Sequence, residues 1–188
     1  MKEVEILVEV FDKKDKVLEI LKKFEFKGSK KITDIYFLNP FTKDLKIINN
    51  KCPRKWFRVR KKEDKCLFCF KEDVYKKDKW LYSNEYETEA KDFDALVKII
   101  EKLGFKELLT INNLKHTFET KDYEIVFEEV KDLGLFLEVE KLDVKDHENI
   151  DKIKEEMQKF IDSLGIKVSK ELDMGKAELL IKKKKIIL

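Results

Sequence analysis

The sequence predicts an α+β fold in which eight antiparallel strands close into a single β-barrel, with helices packed on the outside. Three observations lead there. Short segments of period-two alternation fill much of the chain and are separated by stretches of helical periodicity. The alternating segments carry acidic or basic stripes on a face that a plain core would fill with apolar side chains. A third feature is a Glu-x-Glu strand leading into an amphipathic helix, which recurs along the chain. Glu3 and Glu5 precede Val17, Ile20, Leu21 and Phe24; Glu85, Glu87 and Glu89 precede Phe93, Leu96, Val97 and Ile100; Glu138 and Glu140 precede Ile150, Ile153, Met157 and Phe160. An open sheet with one wet face explains any one stripe. A full set is better explained by a sheet closed on itself, charged faces inward and apolar faces covered by helices, so that its axis is a polar tunnel. Carboxylates draw divalent cations into such a tunnel, and Arg and Lys draw phosphate oxygens.

Taken in order, Met1 to Val10 reads as a strand, and Asp12 as the N-cap of a helix running to about Phe24. Gly28 separates that helix from a strand over Lys30 to Leu38, which Asn39-Pro40 ends before a loop to about Lys55. Trp56 to Lys61 and Lys65 to Asp73 form a hairpin with Glu63-Asp64 near its turn. Arg58 and Arg60 share one face of the first arm, opposite Phe57 and Val59, while Lys71 shares a face with Leu67 and Cys69. A Lys-rich loop at Tyr75 to Lys79 leads to an acidic strand, Trp80 to Ala90. Asp92 caps the next helix and Gly104 stops it. Strand structure over Phe105 to Thr120, with an interruption expected at Asn112-Asn113, precedes the hairpin Asp122 to Lys141, whose turn is Lys131-Asp132-Leu133-Gly134. A third helix spans about Asp146 to Leu164 and ends at Gly165. A short helical or irregular segment, Ser169 to Ile181, leads to the solvated tail Lys182 to Lys185.

Composition narrows the class. A chain of 188 residues with 43% hydrophobic content suits one domain, 1–188, with a substantial core. The 42 basic and 39 acidic residues nearly cancel, which argues against a dedicated nucleic-acid binder. No apolar run has the length of a membrane helix, and Met1 leads straight into a charged strand, so a cytoplasmic location is expected. Lys and Glu dominate the charged set and Gln158 is the single Gln, a composition that points to a thermophilic source. Cys52, Cys66 and Cys69 are too sparse for a disulfide scaffold. The Cys66-Leu-Phe-Cys69 spacing puts the two thiols on opposite strand faces, against a shared metal or redox role.

Several motifs carry a family resemblance. Glu3-Val-Glu5-Ile-Leu7, Trp56-Phe57-Arg58-Val59-Arg60, Phe68-Cys-Phe-Lys71, Asn84-Glu85-Tyr86-Glu87 and the run from Ile125 through Glu128 and Gly134 to Glu140 resemble segments of the CYTH or triphosphate tunnel metalloenzyme family. That family includes class IV adenylyl cyclases, thiamine triphosphatases and inorganic triphosphatases, and the likeness extends to Ala177-Glu178-Leu179-Leu180. It implies an eight-stranded triphosphate tunnel requiring Mg²⁺ or Mn²⁺. Glu3, Glu5, Glu85, Glu128, Glu138 and Glu140 would hold the metal; Arg58, Arg60, Lys71, Lys115 and Lys176 would grip phosphate; Glu5, Glu87, Glu138 and Lys71 would be the catalytic set. The implied substrate is ATP, thiamine triphosphate or tripolyphosphate, and a homodimer is compatible with the family.

The sequence departs from that pattern at several places, among them the absence of the family's Tyr near the C-terminal Lys candidates Lys170 and Lys176. Leu7 stands at the last position of the Glu-x-Glu-x-Lys signature, Lys115 replaces a usual Arg, Asn113 a common Lys and Glu128 an Asp. If Leu7 is a simple loss, a Lys restored there tightens triphosphate binding; if Lys170 or Lys176 has taken over its role, the added charge weakens it. Two alternatives to an enzyme stand beside this reading: a protein that binds polyphosphate or nucleotide without turnover, and an RNA-binding barrel that stacks bases on Trp56, Phe57, Phe68 and Trp80.

Overall fold

The computed structural model describes residues 2–39, 41, 54–63, 65–77 and 79–185. Cys52, Asp64 and most of the segment between Asn39 and Lys55 lie outside that set. The strands are β1 (Lys2–Glu3), β2 (Glu5–Glu9), β3 (Glu25–Leu38), β4 (Lys55–Lys62), β5 (Lys65–Lys76), β6 (Lys79–Ala90), β7 (Lys106–Glu119), β8 (Tyr123–Val130) and β9 (Gly134–Lys141). The helices are α1 (Lys14–Leu21), α2 (Phe93–Lys102), α3 (Ile150–Ser163) and α4 (Lys176–Lys184).

All strand pairings are antiparallel, in the order β1-β6-β5-β4-β3-β7-β8-β9-β2. The two ends of that order, β1 and β2, are one stretch of chain divided at Val4. The N-terminal segment pairs first with β6 and then with β9, which joins the edges of the sheet and nearly closes it into a barrel. This change of partner is why nine strands stand where the alternation alone indicates eight.

The seam at Val4 is fastened from outside. Val4 is fully buried and its carbonyl accepts from the Lys141 backbone N–H at 2.9 Å. Lys154, on α3, is 4% exposed and donates to the Glu5 carbonyl at 2.8 Å and to the Glu171 carboxylate. Its ammonium also lies 5.5 Å from the centre of the Trp80 ring, and Lys71 lies 5.4 Å from the same ring, so one indole serves two cations.

Apolar residues on the outer strand faces carry the helices. Ile6, Val8, Ile125, Phe127, Leu137 and Val139 meet Val17 and Leu21 of α1 and Ile153, Met157 and Ile161 of α3. A second cluster seats α2 on Phe37, Phe57, Val59 and Cys66. The third differs in kind: Ala177, Leu180 and Ile181 of α4 pack with Leu7, Tyr36, Leu109, Ile111, Val130 and Phe136. Leu7 shares its strand face with Glu5, and Leu7, Tyr36 and Ala177 all line the interior cavity, so α4 stoppers one end of the barrel with apolar side chains.

Several local expectations are corrected. Asp12 does not cap α1; its Oδ2 accepts from Lys16 Nζ and the Lys167 backbone N–H, both at 2.8 Å, and the helix starts after Lys13 without a side-chain cap. Gly28 does not end an element but lies inside β3 at a register shift, where its φ of +125° suits a bulge that other residues rarely adopt. Tyr75 and Lys76 belong to β5 rather than to a loop. Asn112-Asn113 does not interrupt β7 because each amide finds a partner on its own face: Asn112 Oδ1 accepts from Thr33 Oγ1 at 2.9 Å, and Asn113 Nδ2 donates to Glu128 at 2.7 Å. The third helix starts at Ile150, capped by Asn149, rather than at about Asp146, and three lysines of the expected tail form the last turn of α4.

Replacing Lys154 by Met should destabilise the fold by about 2 to 3 kcal/mol, because the Glu5 carbonyl and Glu171 lose a charged donor. Denaturant unfolding of Lys154→Met beside the parent checks this, and an unchanged midpoint would remove the seam role assigned to Lys154.

Candidate functional site

The barrel encloses a cavity of about 740 Å³, with Glu5, Arg58, Lys71, Glu87 and Glu138, from five different strands, on its wall. The expected inward convergence of the charged stripes is therefore present, and strand alternation places each of these side chains on the inner face.

On the β4, β5 and β6 side the charges interlock. Lys71 Nζ lies 2.8 Å from Glu5, 3.0 Å from Glu85 and 3.6 Å from Glu3. Arg58 Nη2 stands 3.6 Å from Glu85, and the buried Arg58 Nε has no partner. Burial works against ionisation of Glu85, but Arg58 and Lys71 prevail and bring its pKa down to about 2. Lys71 loses solvation as well, and Glu5, Glu85 and Glu3 hold its ammonium well above the ordinary range.

Arg60 is held by a residue outside the expected set. Asp34, 3% exposed on β3, accepts from Arg60 Nε at 2.7 Å and Nη2 at 2.9 Å, a two-pronged contact that orients the guanidinium. Although burial opposes it, the Arg60 charge keeps the Asp34 carboxyl well below its usual range.

On the β7, β8 and β9 side the centre is Glu128, which is fully buried. Lys115 approaches it at 3.1 Å, Lys176 at 2.6 Å, and Asn113 donates to its other oxygen. Lys176, the first residue of α4, also pairs with Glu138, and Lys115 lies 3.8 Å from the same carboxylate. Burial disfavours the Glu138 charge, yet Lys115 and Lys176 draw its pKa well below the ordinary value. In the ladder Leu7 is directly opposite Glu138, so Lys176 reaches the carboxylate that a Lys at position 7 would face. Lys170, the other C-terminal candidate, is exposed and does not line the cavity.

Between these halves the carboxylates crowd. Glu5, Glu140 and Glu124 are successive cross-strand partners on β2, β9 and β8, all facing inward. Like charges directly opposite one another are unfavourable. Burial first, and then Glu3, Glu5, Glu138 and Glu124, raise the Glu140 pKa to about 8. Burial similarly raises Glu3 to about 7 despite Lys71. Among the described residues Glu140 and Glu124 have no ion pair. Such a set suits a hard divalent cation, which takes oxygen ligands and offsets the mutual repulsion. Cys69, Glu85 and Glu87 add ligand atoms within 4.8 Å of one another. The thiol is inside the cavity while Cys66 is buried outside under α2, the opposite placement expected from their spacing. Burial pushes the Cys69 thiol up to about 11.

The fold and this cavity can be set beside known proteins. The sequence model of the CYTH domain matches residues 1–173. The chain belongs to the CYTH family. A relative from Methanocaldococcus jannaschii, named "Putative adenylate cyclase MJ0240", is 36% identical over 169 residues, covering 88% of this chain and 91% of the relative. The CYTH chain also superposes on protein PH1819 of Pyrococcus horikoshii with a TM-score of 0.78 at 25% identity, covering 95% of this chain and 99% of that one. A Hippeastrum protein named as an adenylyl cyclase and described as having a dominant triphosphatase activity shares the fold, with a TM-score of 0.64 at 12% identity over 99% and 97% of the two chains. No helix among the described residues is long and apolar enough to cross a membrane.

The Asp34–Arg60 pair yields a pH-dependent prediction. Asp34→Asn should destabilise the CYTH domain by about 3 kcal/mol at neutral pH, since it leaves a buried guanidinium without its counter-charge. The folded-state pKa of Asp34 is depressed, so its contribution is complete above about pH 4, the unfolded value, and is lost as pH falls further. Unfolding measured from pH 7 to pH 2 should show the difference between parent and variant shrinking below about pH 4; a difference constant with pH would contradict the assignment.

Proposed function

We propose that this CYTH protein is a divalent-metal-dependent enzyme that acts on a triphosphate held within the barrel, as a triphosphatase or an adenylyl cyclase. One observation carries the reading: a single cavity holds both five cations suited to phosphate and a crowded row of carboxylates, two of them without an ion pair. The names borne by the relatives point the same way.

Arg58 and Arg60 present guanidinium forks, which suit phosphate oxygens, and Asp34 fixes the orientation of the second. Lys71, Lys115 and Lys176 supply point charges around the chain of phosphates. Glu128 has both oxygens engaged by Lys115, Lys176 and Asn113, so its role is to position those cations rather than to hold the metal. Glu3, Glu5, Glu138 and Glu140 would hold Mg²⁺ or Mn²⁺, with Glu85 and Glu87 as further oxygen donors. The bound ion would offset charge that develops as the phosphoryl bond breaks and would acidify a coordinated water. Glu87, exposed at the cavity wall, can accept a proton from the attacking group, which is water in hydrolysis and the substrate's own hydroxyl in cyclisation.

Two of the inner lysines are already matched at rest: Lys71 lies on Glu3, Glu5 and Glu85, and Lys176 on Glu128 and Glu138. A triphosphate arriving with its cation exchanges these pairs. Phosphate oxygens would replace Glu3, Glu5 and Glu138 on the ammonium groups, which frees those three carboxylates to hold the cation, while Glu128 keeps its lysines in place. The exchange leaves none of these paired groups bare in the low-dielectric interior.

An assay panel of ATP, thiamine triphosphate and tripolyphosphate with Mg²⁺ and Mn²⁺ tests the proposal, scoring released phosphate and cyclic AMP. Metal-dependent turnover of at least one substrate is expected; binding without turnover on any would favour the non-catalytic alternative. Glu138→Gln with Glu140→Gln should weaken Mn²⁺ binding in the presence of triphosphate by about tenfold or more, since two anionic ligands are lost at constant size. Unchanged affinity by calorimetry would contradict the metal assignment.

The role of Leu7 is decided by rescue. Lys176→Ala should weaken tripolyphosphate binding by about tenfold through loss of a charge-assisted contact. Leu7→Lys alone should give no gain, because it places a second ammonium beside one already paired with Glu138. Leu7→Lys in the Lys176→Ala background should recover part of the loss. A gain from Leu7→Lys alone would mean that the site lacks a cation rather than having moved it.

A further inference from the structure

The inner-face charges extend beyond the wall of the cavity. Lys30 on β3 stands directly opposite Lys115 of β7, and Lys62 on β4 lies two residues beyond Arg60 on the same strand face. Residues two apart on a strand are roughly 6.6 Å apart along it. The strip Arg58, Arg60, Lys62 therefore continues past the row held by Asp34, toward the end of the barrel away from Trp56 and Tyr36, which neighbour the α4 stopper.

What distinguishes the two lysines is their lack of counter-ions. Arg58, Arg60, Lys71, Lys115 and Lys176 each have a carboxylate within 4.0 Å. Lys65, at the hairpin end next to Lys62, is neutralised by Glu89 at 2.6 Å. Among the described residues, Lys30 and Lys62 have no such partner. Both are half-buried. Partial burial and the nearby Lys30, Arg60 and Lys115 charges lower the Lys62 pKa, and Glu124, the carboxylate that acts on it, is not within ion-pair distance. Like charges brought together across a sheet carry a standing cost that a bound anion relieves.

We infer that Lys30 and Lys62 form an outer anion subsite, which takes a phosphate group beyond the three held by the inner cations. This rests on the proposed triphosphate reading and refines its substrate class to linear polyphosphates longer than three units. An inorganic chain fits better than the organic end of a nucleotide because the strip from Arg58 to Lys62 offers successive cations and no aromatic side chain. Trp56 and Trp80, the indoles on the cavity wall, lie on the other side of Arg58 or across the barrel from it.

Calorimetric titration with tripolyphosphate and with a longer linear polyphosphate, both with Mg²⁺, applied to the parent protein and to Lys30→Gln with Lys62→Gln, tests the inference. The parent should bind the longer chain more tightly. The double variant should lose about tenfold on the longer chain and less than about twofold on tripolyphosphate. The comparison is between ratios, so the extra binding registers of a longer chain affect both proteins alike. Equal losses on the two chains, or no loss on either, overturn the subsite while the proposed function stands. A parent protein that binds neither chain overturns both. Both substitutions are at half-buried positions on the barrel rim, and an unchanged unfolding midpoint confirms that a loss is not one of folding.

Discussion

A sheet that closes around ionised side chains is stable only if most of them are compensated, because a buried charge without a partner costs several kcal/mol in so confined a space. That constraint organises this barrel. It accounts for Asp34 beneath Arg60, for Glu128 shared by Lys115, Lys176 and Asn113, and for Lys71 drawn among three glutamates. It also accounts for the placement of α4. The helix brings its apolar face to one end of the barrel and its first residue to Glu138, so a single element both stoppers the cavity and supplies a cation to it.

The same constraint separates two kinds of charge inside the tunnel. Matched pairs are stable at rest and can be exchanged for a ligand of mixed charge. Groups without an ion pair, Glu140 and Glu124 beside Glu5 in one row and Lys30 with Lys62 at the rim, are costly at rest and mark where a cation and an anion relieve the most repulsion. The ligand that satisfies both is a polyphosphate accompanied by a divalent ion. Fastening of the seam by Lys154 matters for this, since Glu3 and Glu5 lie on either side of the point where the chain changes partners.

Much of the architecture was legible because inward and outward residues alternate with period two. Glu3, Glu5, Arg58, Lys71 and Glu138 could be assigned to one interior without knowledge of register. What depended on register was not legible. Asp34 lies in an alternating strand where a lone acid reads as solvent-facing, and only the β3–β4 pairing brings it opposite Arg60. Lys154 lies in a helix rich in Lys and Glu, with no local sign that its ammonium reaches the Glu5 carbonyl at the seam. Gly28 suits a helix stop or a bulge equally well, and the β3–β7 ladder decides between them. Leu7 read as a missing Lys because α4, its apolar neighbour, had no clear signal among the terminal lysines. Lys30 and Lys62 were passed over because lysines are common on strand ends, and their lack of carboxylate partners becomes visible only in three dimensions.

Anomalous diffraction from crystals grown with Mn²⁺ and tripolyphosphate tests the central claim most directly. The expected result is a Mn²⁺ peak among Glu3, Glu5, Glu138 and Glu140, with phosphate oxygens on Arg58, Arg60 and Lys71 and at least one resting ion pair of Lys71 or Lys176 opened. A tripolyphosphate bound on the outer surface, or a barrel in which metal and anion leave every interior pair intact, would contradict the exchange of ion pairs on which the proposed function depends.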